Sequence, residues 1–185
     1  MTAEERVKVV QLLEQSRDEF LASVEGLTDE QWNHHPVPES WSVGETAEHI
    51  LLAETSFFGA IHRALKSAPN GGWETEPGRK SMFIERVMTN RTRKVQAPKP
   101  IQPQGLPRAE VLDRYLAART RTLQFARETQ LALREFTADH PFPVFNTLSA
   151  YDWLLYIPMH NLRHNAQIVE LLGIYSNAEN GHARS

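Results

Sequence analysis

Apolar residues recur at intervals of three and four along four separate stretches of the chain, and no stretch of useful length alternates with a strand's period of two. That pattern commits the chain to helices, each burying one stripe. The first stretch covers residues 3–25, where Val10, Leu13, Phe20 and Val24 form a stripe that continues to Leu27. Thr28 to Gln31 can cap one extra turn, and the segment His34-His35-Pro36-Val37-Pro38 stops any helix. Ser42 and Glu45 have the spacing of a capping box, which predicts a second helix starting at Ser42. Ala47, Ile50, Leu51, Phe57, Phe58, Ile61 and Leu65 carry its apolar face to about residue 66. A third helix is expected from Pro107 to Glu128, buried through Leu112, Tyr115, Leu116, Leu123 and Ala126. The fourth is expected from Ser149, with Asp152 in its first turn, to Leu172 and the C′ glycine Gly173. The expected fold is all-α, a four-helix bundle in one domain over residues 1–175, with a polar tail over 176–185.

Residues 67–106 are rich in proline and glycine, and too long for a plain loop in a compact domain. A short helix from Ser81 to Thr89 is expected within them, docking through Met82, Phe83, Val87 and Met88. A connection of this length can cross the bundle, so that helices two and three run parallel. Residues around His140, Pro141, Phe142 and Pro143 read as irregular.

Composition removes several classes of function. The formal charge of −3 gives no field for nucleic acid or an anionic membrane, and no DNA-binding motif is present. No apolar run approaches the ~18 residues that span a bilayer. The first residues lack the basic-then-apolar pattern of a secretory leader, so the expected location is cytoplasmic. With no cysteine, the chain has neither thiolate ligands nor a sulfur nucleophile of its own. Phosphate loops, dinucleotide glycine patterns and G-x-S-x-G elbows are also missing.

Histidines carry what chemistry remains. His160 and His164 are four residues apart in the fourth helix, so their rings lie one above the other on one face. His49 lies about 9 Å along the second helix, while His164 and His160 lie about 12 and about 18 Å from the end of the fourth. These levels nearly coincide if the two helices are antiparallel. Ala53, Ser56 and Ala60 follow His49 on its face and allow close approach. Three neutral imidazoles on one divalent ion leave coordination positions open. The bland alternative is three satisfied core histidines. Asn161 stands where a zincin would carry its glutamate base, which argues against that type of peptidase. Pro158, two residues before His160, removes a helix hydrogen bond; it either bends the helix around the core or aims His160.

Two segments carry a resemblance. Trp41-Ser42-Val43-Gly44-Glu45-Thr46-Ala47-Glu48-His49, followed after a long gap by Trp153 through His160, His164 and Gln167, resembles the DinB-like superfamily. That group includes the bacillithiol-transferase branch and the metal-binding domain of mycothiol-dependent enzymes. The resemblance implies an up-down-down-up bundle, a nickel, zinc or similar ion on His49, His160 and His164, and a homodimer. Relatives commonly have glycine before the last helix where this chain has Asn146, a residue that also tolerates the left-handed conformation.

The reaction stays open among three readings. A metal-dependent S-transferase would join a low-molecular-weight thiol, ionised at the metal, to a small-molecule electrophile. A hydrolase would activate water, but needs a proton shuttle that the sequence does not supply; Glu48 should point about 100° from His49. A non-catalytic, metal-binding stress-response module is the third. Arg79, Lys80, Arg86, Arg91, Arg93, Lys94 and Lys99 face only Glu85 between residues 79 and 99. They form either a solvated connection or a basic rim for an anionic thiol cofactor, with Arg91, Arg93 and Arg163 as its candidate contacts. Trp41, Trp153 and Tyr156 read as packing residues, and Gln167 as a hydrogen-bond partner for a ligating histidine. His34, His35, His62, His140 and His182 read as ordinary loop or surface residues.

Overall fold

The computed structural model describes residues 1–70, 78–92 and 95–182, with side chains as far as Asn177. Capping boxes open the early helices. Thr2 and Glu5 start α1 (Ala3–Val24), and Thr28 and Gln31 start the short α2 (Asp29–Asn33). Ser42 and Glu45 start α3 (Val43–Ala64). Each box satisfies two backbone N–H groups that the first turn leaves without partners. The connection after α3 contains α4 (Arg79–Thr89) and a 3-10 turn (Lys99–Ile101), and leads to α5 (Arg108–Glu128). A two-stranded antiparallel hairpin, β1 (Thr137–Asp139) and β2 (Thr147–Ser149), precedes α6 (Ala150–His182). Ser149 caps α6, its hydroxyl accepting the Asp152 N–H at 3.1 Å.

α6 packs between α1 and α3, and α5 packs on the other side of the same two helices. Side-chain bonds set the directions. Arg134 joins Glu5 to Asp152, and Asn165 reaches the Ser16 carbonyl, so α1 and α6 run parallel. His49 meets His164 while Phe57 meets Trp153, so α3 and α6 run antiparallel. Glu48 meets Leu106 and Glu54 meets Thr122, so α3 and α5 run parallel. Arg6 reaches the Ala126 carbonyl while Arg108 reaches that of Val24, so α1 and α5 run antiparallel. The result is an up-down-down-up four-helix bundle whose antiparallel pair α3 and α6 puts the early turns of α3 beside the middle of α6. α2 lies against the start of α3 through buried Trp32. A Cβ at Gly44 would fall 2.3 Å from Trp32 Nε1, so only glycine permits this approach.

A buried polar network crosses the bundle centre. Arg119 bonds both oxygens of Glu54 at 2.9–3.1 Å, the Leu13 carbonyl at 2.6 Å and Ser16 Oγ at 2.7 Å. Both members of the ion pair are buried. Asn161 accepts from Arg119 and from Tyr115, each at 2.8 Å, and donates to Asn165. Buried charges persist when paired and fully hydrogen-bonded, as these are.

Several expectations need correction. α6 continues through Gly173 to His182, so the first residues of the expected tail are helical; residues 183–185 lie outside the described part. The stretch around His140 contains a hairpin turn, with Asn146 at φ 53° in the left-handed region. α4 docks through Met88, Phe83 and Val87 as expected and also through Ser81 and Ile84, whereas Met82 is exposed. Leu116 also lies largely outside, and Val111, Ala118 and Arg119 are buried in α5 instead.

Candidate metal centre

His49, one and a half turns into α3, and His160 and His164, one turn apart in α6, come together. Their ring centroids are 5.0, 4.7 and 4.5 Å apart for the pairs 49–160, 49–164 and 160–164. One ring nitrogen from each lies within 4.8 Å of the others. Nitrogens bound at about 2.0–2.1 Å to a tetrahedral ion sit about 3.4 Å apart, so small ring rotations close the set. His49 and His160 are buried and His164 half-buried.

Hydrogen bonds on the far side of two rings leave the ligating nitrogen free. His49 Nδ1 donates to the Ile101 carbonyl at 2.6 Å, so Nε2 carries a lone pair. His164 Nδ1 donates to Gln167 Oε1 at 2.9 Å, with the same consequence. Outer partners of this kind fix the tautomer and ring orientation of metal-binding histidines. Gln167 was recognisable from its spacing three residues after His164. Ile101, fifty-two residues from His49, was not. Trp41 lies 4.8 Å from His49 and Phe57 5.1 Å from His160, walling the site with aromatic faces.

Burial keeps the three rings neutral. It lowers His49, and with the neighbouring imidazoles holds His160 well below the ordinary range. Burial and the His49 ring bring His164 down to about 3, against the opposing pull of Gln167. Neutral imidazole is the form that binds metal. The donor set therefore fits one divalent ion of imidazole preference, such as zinc or nickel. Among the described residues, no carboxylate joins this group.

Glu48 turns away from the centre, as its helical offset predicts. It binds the connection instead, accepting the N–H groups of Gln104, Gly105 and Leu106 at 2.8, 2.9 and 3.1 Å. Arg91 bonds Glu170 and the Arg163 carbonyl. Arg163 in turn donates to the carbonyls of Met88 at 3.2 Å and Asn90 at 2.6 Å. Both guanidinium groups thus join the end of α4 to α6 next to His164. Arg93 lies outside the described residues.

His140 is not a surface residue. It is 7% exposed, stacked on Trp153 at 4.9 Å and packed against Tyr156 at 5.1 Å. Its Nδ1 accepts the Phe142 N–H at 3.0 Å, which places the proton on Nε2. Burial depresses its pKa to about 4. Because the folded value lies below the unfolded ~6.5, stability from this ring is full above pH 6.5 and is lost as pH falls towards 4. His140→Phe should reduce the fall in unfolding free energy between pH 7 and pH 4 by up to about 3 kcal/mol. Urea titrations at the two pH values measure this, and equal falls in both proteins would contradict it.

A helical bundle with three neutral histidines on facing helices defines the class, and comparison with known proteins places it. The profile of the DinB superfamily matches residues 12–168, a span that includes all three histidines, and the chain belongs to that superfamily. It is 26% identical to the uncharacterized protein YuaE of Bacillus subtilis (strain 168) over 165 residues, covering 86% of this chain and 94% of YuaE. Its fold matches that of YfiT from Bacillus subtilis with a TM-score of 0.64 at 17% identity, covering 92% of this chain and 87% of YfiT. YfiT is described as a probable metal-dependent hydrolase with an unusual four-helix bundle topology. Among the described residues, no helix is long and apolar enough to cross a membrane.

Proposed function

We propose that His49, His160 and His164 hold one zinc or nickel ion and that the protein is a metal-dependent thiol S-transferase. The observation that carries this reading is the donor set itself: three neutral imidazoles with no carboxylate among them. A +2 ion on such a set would ionise a coordinated thiol or lower the pKa of bound water to about 7. A thiol needs no general base from the protein, and among the described residues the neighbouring carboxylate, Glu48, is occupied by three backbone N–H groups. The chain has no cysteine, so the nucleophile is a small-molecule thiol: it would release its proton to solvent on binding the ion, and its sulfur would bond to the electrophile as the leaving group departs, chloride in the case of monochlorobimane. Arg91 and Arg163, which join the end of α4 to α6 beside His164, support a basic rim there, and in this reading they and Arg93 would attract an anionic thiol.

The test is consumption of monochlorobimane by low-molecular-weight thiols, with the protein metal-loaded and metal-free. Metal-dependent turnover with at least one cellular thiol is expected, and Arg93→Glu should raise the KM for an anionic thiol while sparing metal content. Loaded protein that turns over no thiol would overturn the transferase reading. A hydrolase is the second reading, favoured by the description of YfiT; metal-dependent cleavage of ester or amide substrates, without thiol, would select it. Metal binding with neither activity would select a non-catalytic module. The proposal includes a homodimer, which light scattering of the purified protein measures directly.

A further inference from the structure

Residues 99–106 are gripped from two adjacent positions of α3. His49 holds the Ile101 carbonyl, and Glu48 holds the N–H groups of Gln104, Gly105 and Leu106. Glu48 is 1% exposed, so its carboxylate is committed to this one contact. Gly105, at φ 84°, adopts the left-handed conformation that lets neighbouring N–H groups converge on one anion. Between the two grips lies a stiff piece of chain. Pro100 and Pro103 have fixed φ, the Gln102 N–H bonds the Lys99 carbonyl at 3.2 Å, and the Ile101 side chain is buried. A shift at 104–106 is therefore passed to the Ile101 carbonyl rather than absorbed.

We propose that Glu48 is a positioning residue of the metal centre, acting through the 99–106 segment to hold the Ile101 carbonyl on His49 Nδ1. Its carboxylate fixes the turn, the turn fixes the carbonyl, and the carbonyl selects the His49 tautomer that directs Nε2 at the ion. The proposal rests on the metal-binding reading above. It gives Glu48 a function that neither acid–base chemistry nor direct ligation describes. The crossover connection becomes an outer part of the site, with its acceptor supplied by main chain and beyond the reach of side-chain substitution at Ile101.

The experiment compares wild type with Glu48→Gln, which keeps size but presents an amide in place of the carboxylate. Cobalt(II) is the probe, read by its visible absorption, its dissociation constant and, in the metal-free protein, the nitrogen-15 shifts of His49. Loss of an outer partner weakens metal binding about 10- to 100-fold. Glu48→Gln should show a loss of that size, an altered cobalt spectrum and a His49 ring exchanging between tautomers. A wild-type dissociation constant and spectrum in the variant would overturn the proposal. If Glu48→Gln does not fold, Gly105→Ala strains the same grip from the other side with Glu48 intact; unchanged cobalt affinity there would overturn it equally. Failure of the wild type to bind cobalt would instead refute the metal reading itself.

Discussion

Replacing His164 with alanine is expected to weaken zinc or cobalt binding by more than about a hundredfold. Outer partners alone contribute about 10- to 100-fold, and a direct donor is worth more. Of the three rings, His164 suits this test best because it is the least buried. Alanine is also the strongest helix former, so the metal-free variant should melt within a few degrees of wild type. A competition titration with a chromogenic chelator measures the affinity, and circular dichroism the melting. Unchanged affinity in a folded variant would remove His164 from the site.

The second large effect lies beneath the metal centre. Glu54→Ala leaves Arg119 buried without its counter-charge, and breaking a buried pair in this way destabilises by about 3–5 kcal/mol. The double variant Glu54→Leu with Arg119→Met should regain most of that loss, because an apolar pair of similar volume carries no desolvation penalty. Urea denaturation of the three proteins decides the matter. A single-variant loss below about 1 kcal/mol would show that the pair is not desolvated in solution. The same network also bears on the site. Asn161 and Asn165 each follow a ligand histidine by one residue, and their bonds to Tyr115, Arg119 and the Ser16 carbonyl fix the rotation of α6. With that face turned to α1 and α5, His160 and His164 face α3.

Features written in local chemistry could be read from the chain. Ser42 with Glu45 and Thr28 with Gln31 announced their helix starts because a capping box lies within one turn. The histidine set was legible for a related reason: spacing of four fixes two rings on one face, and helix rise sets the level of the third. Features that depend on distant partners were not legible. Arg119 looks like any charged residue of an amphipathic helix, and partners distant in sequence, Glu54 above all with Leu13, Ser16 and Asn161, make its burial tolerable. His140 stands just before Pro141 and Pro143 and reads as a loop, while the Trp153 ring that buries it belongs to another element. Three-residue strands are too short to display a period. Gly173 satisfies the rule for a helix end, yet α6 continues through it, since one glycine costs a helix only about 1 kcal/mol relative to alanine.

X-ray absorption of the zinc-loaded protein tests the convergence of the three rings most directly. The geometry predicts one ion per chain with three imidazole nitrogens at about 2.0–2.1 Å, reduced to two in His164→Ala. A shell with fewer than three imidazoles, or one that His164→Ala leaves unchanged, would contradict it.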